Sequence, residues 1–285
     1  MGYKKYSVIG HPIGHTMSPF IHERLFQISG VDAEYTKFDI APQKLQEEFK
    51  IICQLNGFNV TIPHKQAIIP LLDELDESAE LCGAVNTVSI GKKIIGYNTD
   101  KYGFTTALSR ANINLSGNVL ICGIGGASRA VAFAAAENGC KITFGIRKGS
   151  EDKAKTLCDE IHCHFNNIET EIISYDEISG EYDLAVNATP VGMYPNTEKS
   201  VLTEEQICRC KTIYDLIYNP EETELLRLAK KNGIKCDGGM SMLVLQAAKA
   251  HEIWYGAKFD SSQIDLIIND ASSELSVIFK GGDEA

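Results

Sequence analysis

A glycine-rich turn in the middle of the chain has the composition of a dinucleotide phosphate loop. Residues 119–131 read VLICGIGGASRAV, an apolar run followed by glycines and a small-residue segment of helical character. Gly123 lacks a Cβ and can make a tight turn after a strand, while Gly125 lets the backbone approach a phosphate. The free N–H groups of the next helix would face that phosphate. Ser128 stands where G-x-G-x-x-G has its third glycine, so a purely structural strand–turn–helix is the alternative.

The residues after the next predicted strand bear on the choice between NAD and NADP. NAD-selective sites usually carry Asp or Glu about 20 residues after the first glycine, where the carboxylate binds the ribose hydroxyls. Positions 143–148 read TFGIRK, with two cations and no carboxylate. A guanidinium binds a 2′-phosphate through two donors, whereas a carboxylate would repel it. Arg147 therefore favours NADP, and the alternative is a solvated loop cation.

Short motifs in the first hundred residues carry polar groups suited to a small ligand. The motifs are GHTMSPFIH, NVTIPHK, GAVNT and GYNTD, with the polar side chains Thr16, Ser18, Thr61, Lys65, Asn86 and Asp100. Ser18 is predicted to be the N-cap of a helix that has Pro19 at its first position. Lys65 is predicted to lie in the first turn of another helix, where the helix dipole disfavours a cation unless an anion is near. Asp100 has an alternative role as the cap of a helix that begins near Tyr102.

The overall charge limits the classes of partner. The 285 residues carry a net charge of −11, with 44% hydrophobic and 23% charged residues, as in an ordinary globular protein with room for two domains. Nucleic acid and anionic membranes both reward clustered Lys and Arg, so neither is expected as a partner. No apolar run approaches the ~20 residues that span a bilayer. We expect a small-molecule substrate and a monomer or homodimer.

Cysteine use predicts a reducing compartment. Nine cysteines accompany an N-terminus, MGYKKYSVIGHPIGH, without the apolar region of an export signal. A cytoplasmic location with reduced thiols is the expectation. Cys158 and His162 would share a helix face, but a second pair with zinc-finger spacing is missing, so no metal site is predicted.

These candidate residues are set in alternating strands and helices. The first hundred residues contain the predicted strands KYSVIG, AEYTKFDI and GFNVTI, and a hairpin formed by AVNTVSI and KKIIGYN around Gly91. Helices are predicted for SPFIHERLFQISG, APQKLQEEFKIICQL and PHKQAIIPLLDEL. This is an α/β unit without a phosphate loop of its own.

The second half of the chain predicts a parallel sheet. The strands NVLICG, KITFGI, DLAVNAT and TIYDLI alternate with the helices ASRAVAFAAAENG, EDKAKTLCDEI and ETELLRLAKKNG. Such alternation indicates helices on both faces of a doubly wound sheet. Two amphipathic helices, GGMSMLVLQAAKAHEIWYG and SSQIDLIINDASSELSVIF, close the chain.

Eight motifs together resemble those of the shikimate/quinate dehydrogenase family. They are S-P-x-x-H, N-V-T-I-P-x-K, G-A-V-N-T, N-T-D, G-x-G-G-A-S-R, N-A-T-P-x-G-M, D-L-I-Y-N-P and M-L-x-x-Q, in the family's order. The resemblance runs along nearly the whole chain. It implies an α/β substrate-binding and catalytic domain at residues 1–103, onto which helices of residues 240–285 pack back. Residues 104–239 would form a Rossmann-like, doubly wound parallel-sheet domain that binds NADP.

The resemblance also implies a reaction and a catalytic pair. In this family NADPH reduces the 3-oxo group of 3-dehydroshikimate to give shikimate, a step of aromatic amino acid (chorismate) biosynthesis, in the cleft between the domains. Lys65 and Asp100 match the family's catalytic pair. Negative charge develops on the carbonyl oxygen as hydride arrives, so an adjacent cation or proton donor stabilises the transition state. In the oxidising direction the alcohol proton must be accepted, directly or through water.

The family's binding residues map onto both halves of the sequence. Substrate binding is implied for Thr16 and Ser18 at the carboxylate, for Thr61, Asn86, Asp100 and Gln246 at the ring hydroxyls, and for Tyr218. Cofactor binding is implied for Gly123, Gly125, Gly126, Ala127, Ser128, Arg147, Thr189 and Gly239. No metal is implied.

Some positions depart from the family pattern and keep alternatives open. Thr16 stands where many members have Ser, and its extra methyl narrows the pocket, which bears on the choice between shikimate and quinate. Ile146 and Lys148 replace the Asn and Thr that commonly flank the Arg, so NAD is a possible cofactor. The alternatives are a quinate/shikimate dehydrogenase that uses NAD and a non-catalytic shikimate or nucleotide sensor. An amino-sugar-like or folate-type dehydrogenase is a third, although it should not need the hydroxyl groups of Thr16, Ser18 and Thr61.

Overall fold

The structure, a computed structural model, describes residues 3–14 and 16–280 of the chain. The chain divides into two compact units, with the divisions between Gly103 and Phe104 and between Leu243 and Val244. The first unit combines the N-terminal part with the C-terminal part, and the second unit lies between them in sequence.

The described residues form twelve strands and ten α-helices. The strands are β1 Lys4–Gly10, β2 Ala33–Asp39, β3 Gly57–Val60, β4 Glu74–Leu75, β5 Thr87–Ile90, β6 Ile94–Tyr97, β7 Asn118–Cys122, β8 Lys141–Ile146, β9 Thr170–Ser174, β10 Leu184–Asn187, β11 Thr212–Asp215 and β12 Lys235–Asp237. The helices are α1 Ser18–Ser29, α2 Leu45–Ile52, α3 Glu77–Cys82, α4 Asp100–Arg110, α5 Gly126–Glu137, α6 Glu151–His164, α7 Glu204–Ile207, α8 Glu224–Lys231, α9 Met240–Tyr255 and α10 Ser261–Lys280.

The sheet of the first unit brings several chain segments to one edge. Its strand order is β2-β1-β3-β5-β6-β4, with β1 parallel to β2 and β3. β5 is antiparallel to both β3 and β6, so the predicted hairpin around Gly91 is confirmed. The ends of β1, β3 and β6 and the start of β5 therefore share one edge, where the polar motifs of the first hundred residues lie.

Alternate residues of β1 enter two separate cores, as the two-residue period of a strand requires. Tyr6 and Val8 pack in one core with Phe26 of α1, and Ile9 packs in the other with residues of α2 and β3. Trp254 of α9 stacks on Tyr6 with ring centroids 4.4 Å apart. The end of α9 therefore covers this face of the first sheet.

The sheet of the second unit confirms the predicted fold class. Its order is β12-β11-β10-β7-β8-β9, and all paired strands are parallel. The order reverses between β7 and β10, which is the switch point of a doubly wound dinucleotide-binding fold. Helix α5 contacts α6, and α7 contacts α8, which agrees with the right-handed crossovers expected of parallel strands and with one pair of helices on each face of the sheet. The two edge strands, β9 and β12, are not predicted from the sequence.

Three local predictions in the first unit are wrong. Residues 63–75 form turns, the 3₁₀ turn Ile69–Leu71 and β4 instead of a helix, so Lys65 lies in a turn. Pro70 explains this result, because it lacks an N–H and disfavours helical geometry in the residue before it.

The two predicted helix starts also differ. Met17 is the N-cap of α1 and Ser18 its first residue, without a side-chain capping bond. Helix α4 begins at Asp100, so Asp100 is its first residue and not the cap of a later start, and Oδ1 of Asn98 accepts from the N–H of Asp100 at 3.0 Å.

All nine cysteines are free thiols. Among the residues that the structure describes, every helix is too short or too polar to cross a membrane.

Candidate active site

Lys65 and Asp100 form an ion pair at the polar edge of the first sheet. Nζ of Lys65 donates to Oδ2 of Asp100 at 2.5 Å, and the two side chains are only 13% and 7% exposed. The turn after β3 is fixed by the N–H of Val85, which donates to the carbonyl of Lys65 at 2.7 Å. An ammonium has three donors, and Asp100 takes one of them. The others can approach a ligand oxygen while the carboxylate fixes their direction.

Asn86 and Gln246 lie beside this pair. Nδ2 of Asn86 donates to Oδ1 of Asp100 at 2.8 Å and to Oε1 of Gln246 at 3.2 Å. Oδ1 of Asn86 accepts from the N–H of Thr99 at 2.8 Å, which fixes the direction of the amide. Four of the sequence-predicted residues are thus brought together inside the first unit, although Gln246 is 160 positions from Asn86 in sequence.

A buried hydrogen-bond chain that the sequence analysis missed lies behind Asn86. The hydroxyl of Tyr35 donates to Oδ1 of Asn59 at 2.7 Å, and Nδ2 of Asn59 donates to Oγ1 of Thr87 at 3.0 Å. The Thr87 hydroxyl donates to Oδ1 of Asn86 at 3.1 Å. Asn59 lies in β3, whose residues are all buried, and a buried amide in a strand requires partners. That requirement is the signal by which the sequence could have revealed Asn59.

Thr16, Ser18 and Thr61 offer hydroxyls at the same sheet edge. Oγ1 of Thr16 donates to Oγ of Ser18 at 3.0 Å and accepts the N–H of Ser18 at 3.2 Å. A Cβ on Gly10 would lie 2.5 Å from Cγ2 of Thr61, so this glycine permits the Thr61 methyl to pack over the end of β1. Among the described residues, the hydrogen bonds of the Thr16 and Ser18 side chains join these two residues to each other and not to Lys65.

The glycine turn of the second unit has room for a ligand. Gly123 follows β7 with φ +101°, and a Cβ there would lie 2.9 Å from Cγ2 of Thr189. Gly125 is the N-cap of α5, and no atom lies within 4 Å of where its Cβ would be. This open cradle at a helix start fits a phosphate. The hydroxyl of Ser128 donates to the carbonyl of Gly123 at 2.5 Å, so the Ser128 side chain stabilises the turn.

Gly126 and Ala127 occupy the first turn of α5, where N–H groups are free of intrahelical partners. Their backbone can therefore serve an anion, as the sequence pattern predicts.

Arg147 is exposed and follows β8 directly, at the strand end next to the glycine turn. Arg129 of α5 is instead largely buried and pairs with Glu160 of α6. The placement of Arg147 suits a phosphate on the ribose next to the glycine turn.

Thr189, Gly239 and Tyr218 follow the strand ends on the other side of the switch point. The N–H and hydroxyl of Thr189 both donate to Oδ1 of Asn187, at 3.0 and 2.7 Å. The N–H of Gly239 donates to the carbonyl of Ile217 at 3.0 Å, just before α9. Tyr218 is half-buried in the loop after β11 and belongs to the second unit. The predicted cofactor residues therefore cluster at the carboxyl ends of the second sheet.

A family profile described as "Shikimate dehydrogenase substrate binding domain" matches residues 8–88. This stretch runs from β1 to the start of β5 and includes Lys65 and Asn86.

Individual proteins are similar over nearly the whole chain. The chain is 40% identical over 263 residues to "Shikimate dehydrogenase (NADP(+))" of Caldanaerobacter subterraneus subsp. tengcongensis, covering 90% of this chain and 93% of that protein. The crystal structure of shikimate dehydrogenase 1 from Peptoclostridium difficile aligns with a TM-score of 0.86 and 35% identity, covering 95% of this chain and 99% of that one. Shikimate 5-dehydrogenase of Thermus thermophilus, in complex with NADP(H) and shikimate, aligns with a TM-score of 0.82 and 32% identity, covering 94% and 99%.

Proposed function

Because this chain belongs to the shikimate dehydrogenase family, we propose that it is an NADP-dependent oxidoreductase that interconverts 3-dehydroshikimate and shikimate. The reaction serves the biosynthesis of chorismate and aromatic amino acids. When bound, the cofactor supplies hydride to the carbonyl carbon or accepts it from the alcohol carbon. The residues of the chain bind the two molecules and stabilise the charge that develops on oxygen.

The buried Lys65–Asp100 ion pair carries this proposal. Its 2.5 Å contact holds an ammonium at a sheet edge lined with hydroxyl and amide groups. An oxygen that gains negative charge there is stabilised by the N–H bonds of Lys65, and low exposure strengthens that interaction. Asp100 keeps the ammonium in one direction, so little reorganisation is needed during the reaction. A sensor that only binds shikimate would not require this pair.

Short donors suit a small polyol carboxylate. We assign the substrate carboxylate to the hydroxyls of Thr16 and Ser18, and the ring hydroxyls to neutral and acidic groups around Lys65. The assigned residues for the ring are Thr61, Asn86, Asp100 and Gln246, with Tyr218 as a further substrate contact. An amide oxygen or a carboxylate accepts from a ring hydroxyl, and an amide N–H donates to it, so the set recognises several hydroxyls at once.

We assign the dinucleotide to the second unit. The open backbone around Gly125 and the start of α5 fits the pyrophosphate. The exposed guanidinium of Arg147 fits a 2′-phosphate, which favours NADP, and no carboxylate competes at residues 143–148. The side chain of Ile146 offers no hydrogen bond where the family usually has Asn, so NAD is expected as a slower cofactor.

The proposed substrate-binding and catalytic domain comprises residues 1–103 with helices of residues 240–285, and the NADP-binding domain comprises residues 104–239. Nine free thiols support a reducing, cytoplasmic location. The net charge of −11 supports the absence of a nucleic-acid partner. We propose a monomer or homodimer.

A matrix of rates tests the function directly. We expect kcat/KM for shikimate with NADP+ to exceed the values for shikimate with NAD+ and for quinate with either cofactor. Faster oxidation of quinate with NAD+ would favour the quinate/shikimate dehydrogenase alternative. Binding of shikimate or NADPH without turnover of any pair would favour a sensor.

A further inference from the structure

A carboxylate is buried in the second unit without a cation. Asp215 ends β11 with 0% exposure and takes part in no ion pair among the described residues. Burial raises the pKa of Asp215 to about 6, although three hydrogen bonds oppose that shift. Burial of a carboxyl group without a cation lowers the stability of the fold, so a role for Asp215 is expected.

The three donors to Asp215 come from three different segments. Nδ2 of Asn187, at the end of β10, and the N–H of Ile217 each donate to Oδ1 at 3.0 Å. The hydroxyl of Thr223 donates to Oδ2 at 2.7 Å, and Thr223 is also the N-cap of α8. Asp215 therefore ties the ends of β10 and β11 to the start of α8.

The bond to Asn187 sets the direction of that side chain. Nδ2 of Asn187 donates to Asp215 and to the carbonyl of Val191, so Oδ1 must point the other way. There it accepts both the N–H and the hydroxyl of Thr189. Thr189 in turn packs against the Cα of Gly123, the first glycine of the phosphate turn.

The bond to Ile217 acts on a second predicted cofactor residue. The carbonyl of Ile217 accepts the N–H of Gly239, and a Cβ on Gly239 would lie only 2.2 Å from the carbonyl oxygen of Leu216. This close approach requires the loop after β11 to hold one position. The N–H of Ile217, anchored on Asp215, holds it there.

From this arrangement we infer that Asp215 is a positioning residue for the dinucleotide, which it serves by fixing Thr189 through Asn187 and Gly239 through Ile217. Asp215 is buried and acts through its hydrogen-bond partners. The inference rests on the proposed assignment of the cofactor to the second unit and goes beyond it, because it names a residue behind the binding surface.

Three variants separate cofactor positioning from general stability. Asp215→Val removes the carboxylate and leaves three donors without an acceptor. Asp215→Asn keeps an oxygen for Asn187 and Ile217, and its amide can donate to the hydroxyl of Thr223. Thr223→Val, the matched control, removes one bond to Asp215 and the cap of α8 but leaves the Asn187 link.

We expect Asp215→Val to raise the Kd for NADPH and the KM for NADP+ about tenfold or more, because an unpaired buried donor shifts its loop. The KM for shikimate should stay within about twofold. Asp215→Asn should restore NADPH affinity to within about threefold of the wild type. Thr223→Val should lower Tm while its NADPH affinity stays within about twofold.

Unchanged NADPH affinity in a folded Asp215→Val would overturn the inference, as would an equal loss of affinity in Thr223→Val. If Asp215→Val does not fold, Asn187→Ala cuts the same link while Asp215 keeps two of its bonds. Asn187→Ala should weaken NADPH binding, and wild-type affinity in that variant would also overturn the inference. Failure of the proposed function looks different, because the wild type itself would then not bind NADPH.

Discussion

Asp100 holds two groups with its two oxygens. Oδ2 accepts from Lys65 and Oδ1 accepts from Asn86, so the carboxylate aligns an ammonium and an amide side by side. The ammonium of Lys65 has further N–H bonds for a ligand oxygen, and Nδ2 of Asn86 also donates to Oε1 of Gln246. At this scale the proposed chemistry needs only short, fixed distances among a few buried side chains, which is the condition for electrostatic stabilisation of an oxyanion.

Arg147 is the residue on which the proposed cofactor preference depends. Arg147→Ala should raise the KM for NADP+ about tenfold or more and change the KM for NAD+ by less than about twofold, because only NADP+ carries the 2′-phosphate. Steady-state kinetics with both cofactors provide the measurement. Lys153→Ala, which removes an exposed cation in α6, is the matched control. Equal effects of Arg147→Ala on both cofactors would show that this guanidinium does not recognise the phosphate.

At the scale of elements, the sequence predicts the regular elements better than the turns. Hydrophobic periodicity and turn residues correctly predict the bodies of α1, β3, β7 and α5 and the Gly91 hairpin, although the N-cap of α1 is Met17 and not Ser18. The helix predicted for residues 63–75 fails because Pro70 outweighs an apolar pattern of helical period. The edge strands β9 and β12 are rich in polar residues and partly exposed, so they lack a strong hydrophobic signal.

In the candidate site, too, local patterns are predictable from the sequence and long-range contacts are not. Motifs identify Lys65, Asp100 and Asn86, because each lies at the end of a predictable strand or loop. The partners of Tyr35 and Asn59 cannot be predicted in this way, since their hydrogen bonds join residues far apart in sequence. Only the register of the sheet determines which buried polar groups meet.

The contact between α9 and the first sheet gives a prediction at this scale. A Cβ on Gly57 of β3 would lie 2.5 Å from Nε1 of Trp254, whose N–H donates to the carbonyl of Val88 at 3.0 Å. Gly57→Ala should therefore lower the free energy of unfolding by about 1–3 kcal/mol through overpacking. Urea denaturation gives the value.

Gly91→Ala is the matched control, because no atom lies within 4 Å of the new Cβ. Its free energy of unfolding should stay unchanged or rise by up to about 1 kcal/mol. Equal stability of the two variants would show that Trp254 does not need the space at Gly57.

At the scale of the whole molecule, each unit buries titratable groups, and the pKa values of these groups shift in opposite directions in the two units. In the first unit, Nδ1 of His22 and Nε2 of His251 share a hydrogen bond of 2.8 Å. Burial lowers the pKa of His251 to about 3, and burial together with His251 lowers the pKa of His22. In the second unit, burial raises the pKa of Asp215 to about 6.

Opposite shifts predict opposite responses to acid. The histidines stay neutral in the folded first unit but bind protons below about pH 6.5 when unfolded, so stability falls as the pH drops below that value. Between pH 7.5 and pH 5, His251 alone lowers the free energy of unfolding by about 2 kcal/mol, and His22 acts in the same direction. Folded Asp215 retains a proton up to about pH 6, so the stability that this proton contributes is present at low pH and is lost as the pH rises through 6. The free energy of unfolding of the second unit should therefore rise by about 1 kcal/mol when the pH falls from 7.5 to 5.

Hydrogen exchange with mass spectrometry can follow each unit separately. After correction for intrinsic rates, peptides of β1 should exchange faster at pH 5 than at pH 7.5, and peptides of β10 and β11 should exchange at equal or slower rates. The two sets serve as controls for each other in one sample. Equal acceleration of both would contradict the assignment of the shifts.

The most direct measurement of the central claim compares kcat for shikimate oxidation in the wild type, Lys65→Met and Lys50→Met. Met removes the charge of Lys65 while retaining most of its length, and Lys50→Met makes the same change at an exposed position of α2. We predict that Lys65→Met lowers kcat by about 10²–10⁴-fold with little change in the KM for shikimate, and that Lys50→Met behaves as the wild type. Wild-type kcat in a folded Lys65→Met would contradict a reaction that depends on the Lys65–Asp100 pair.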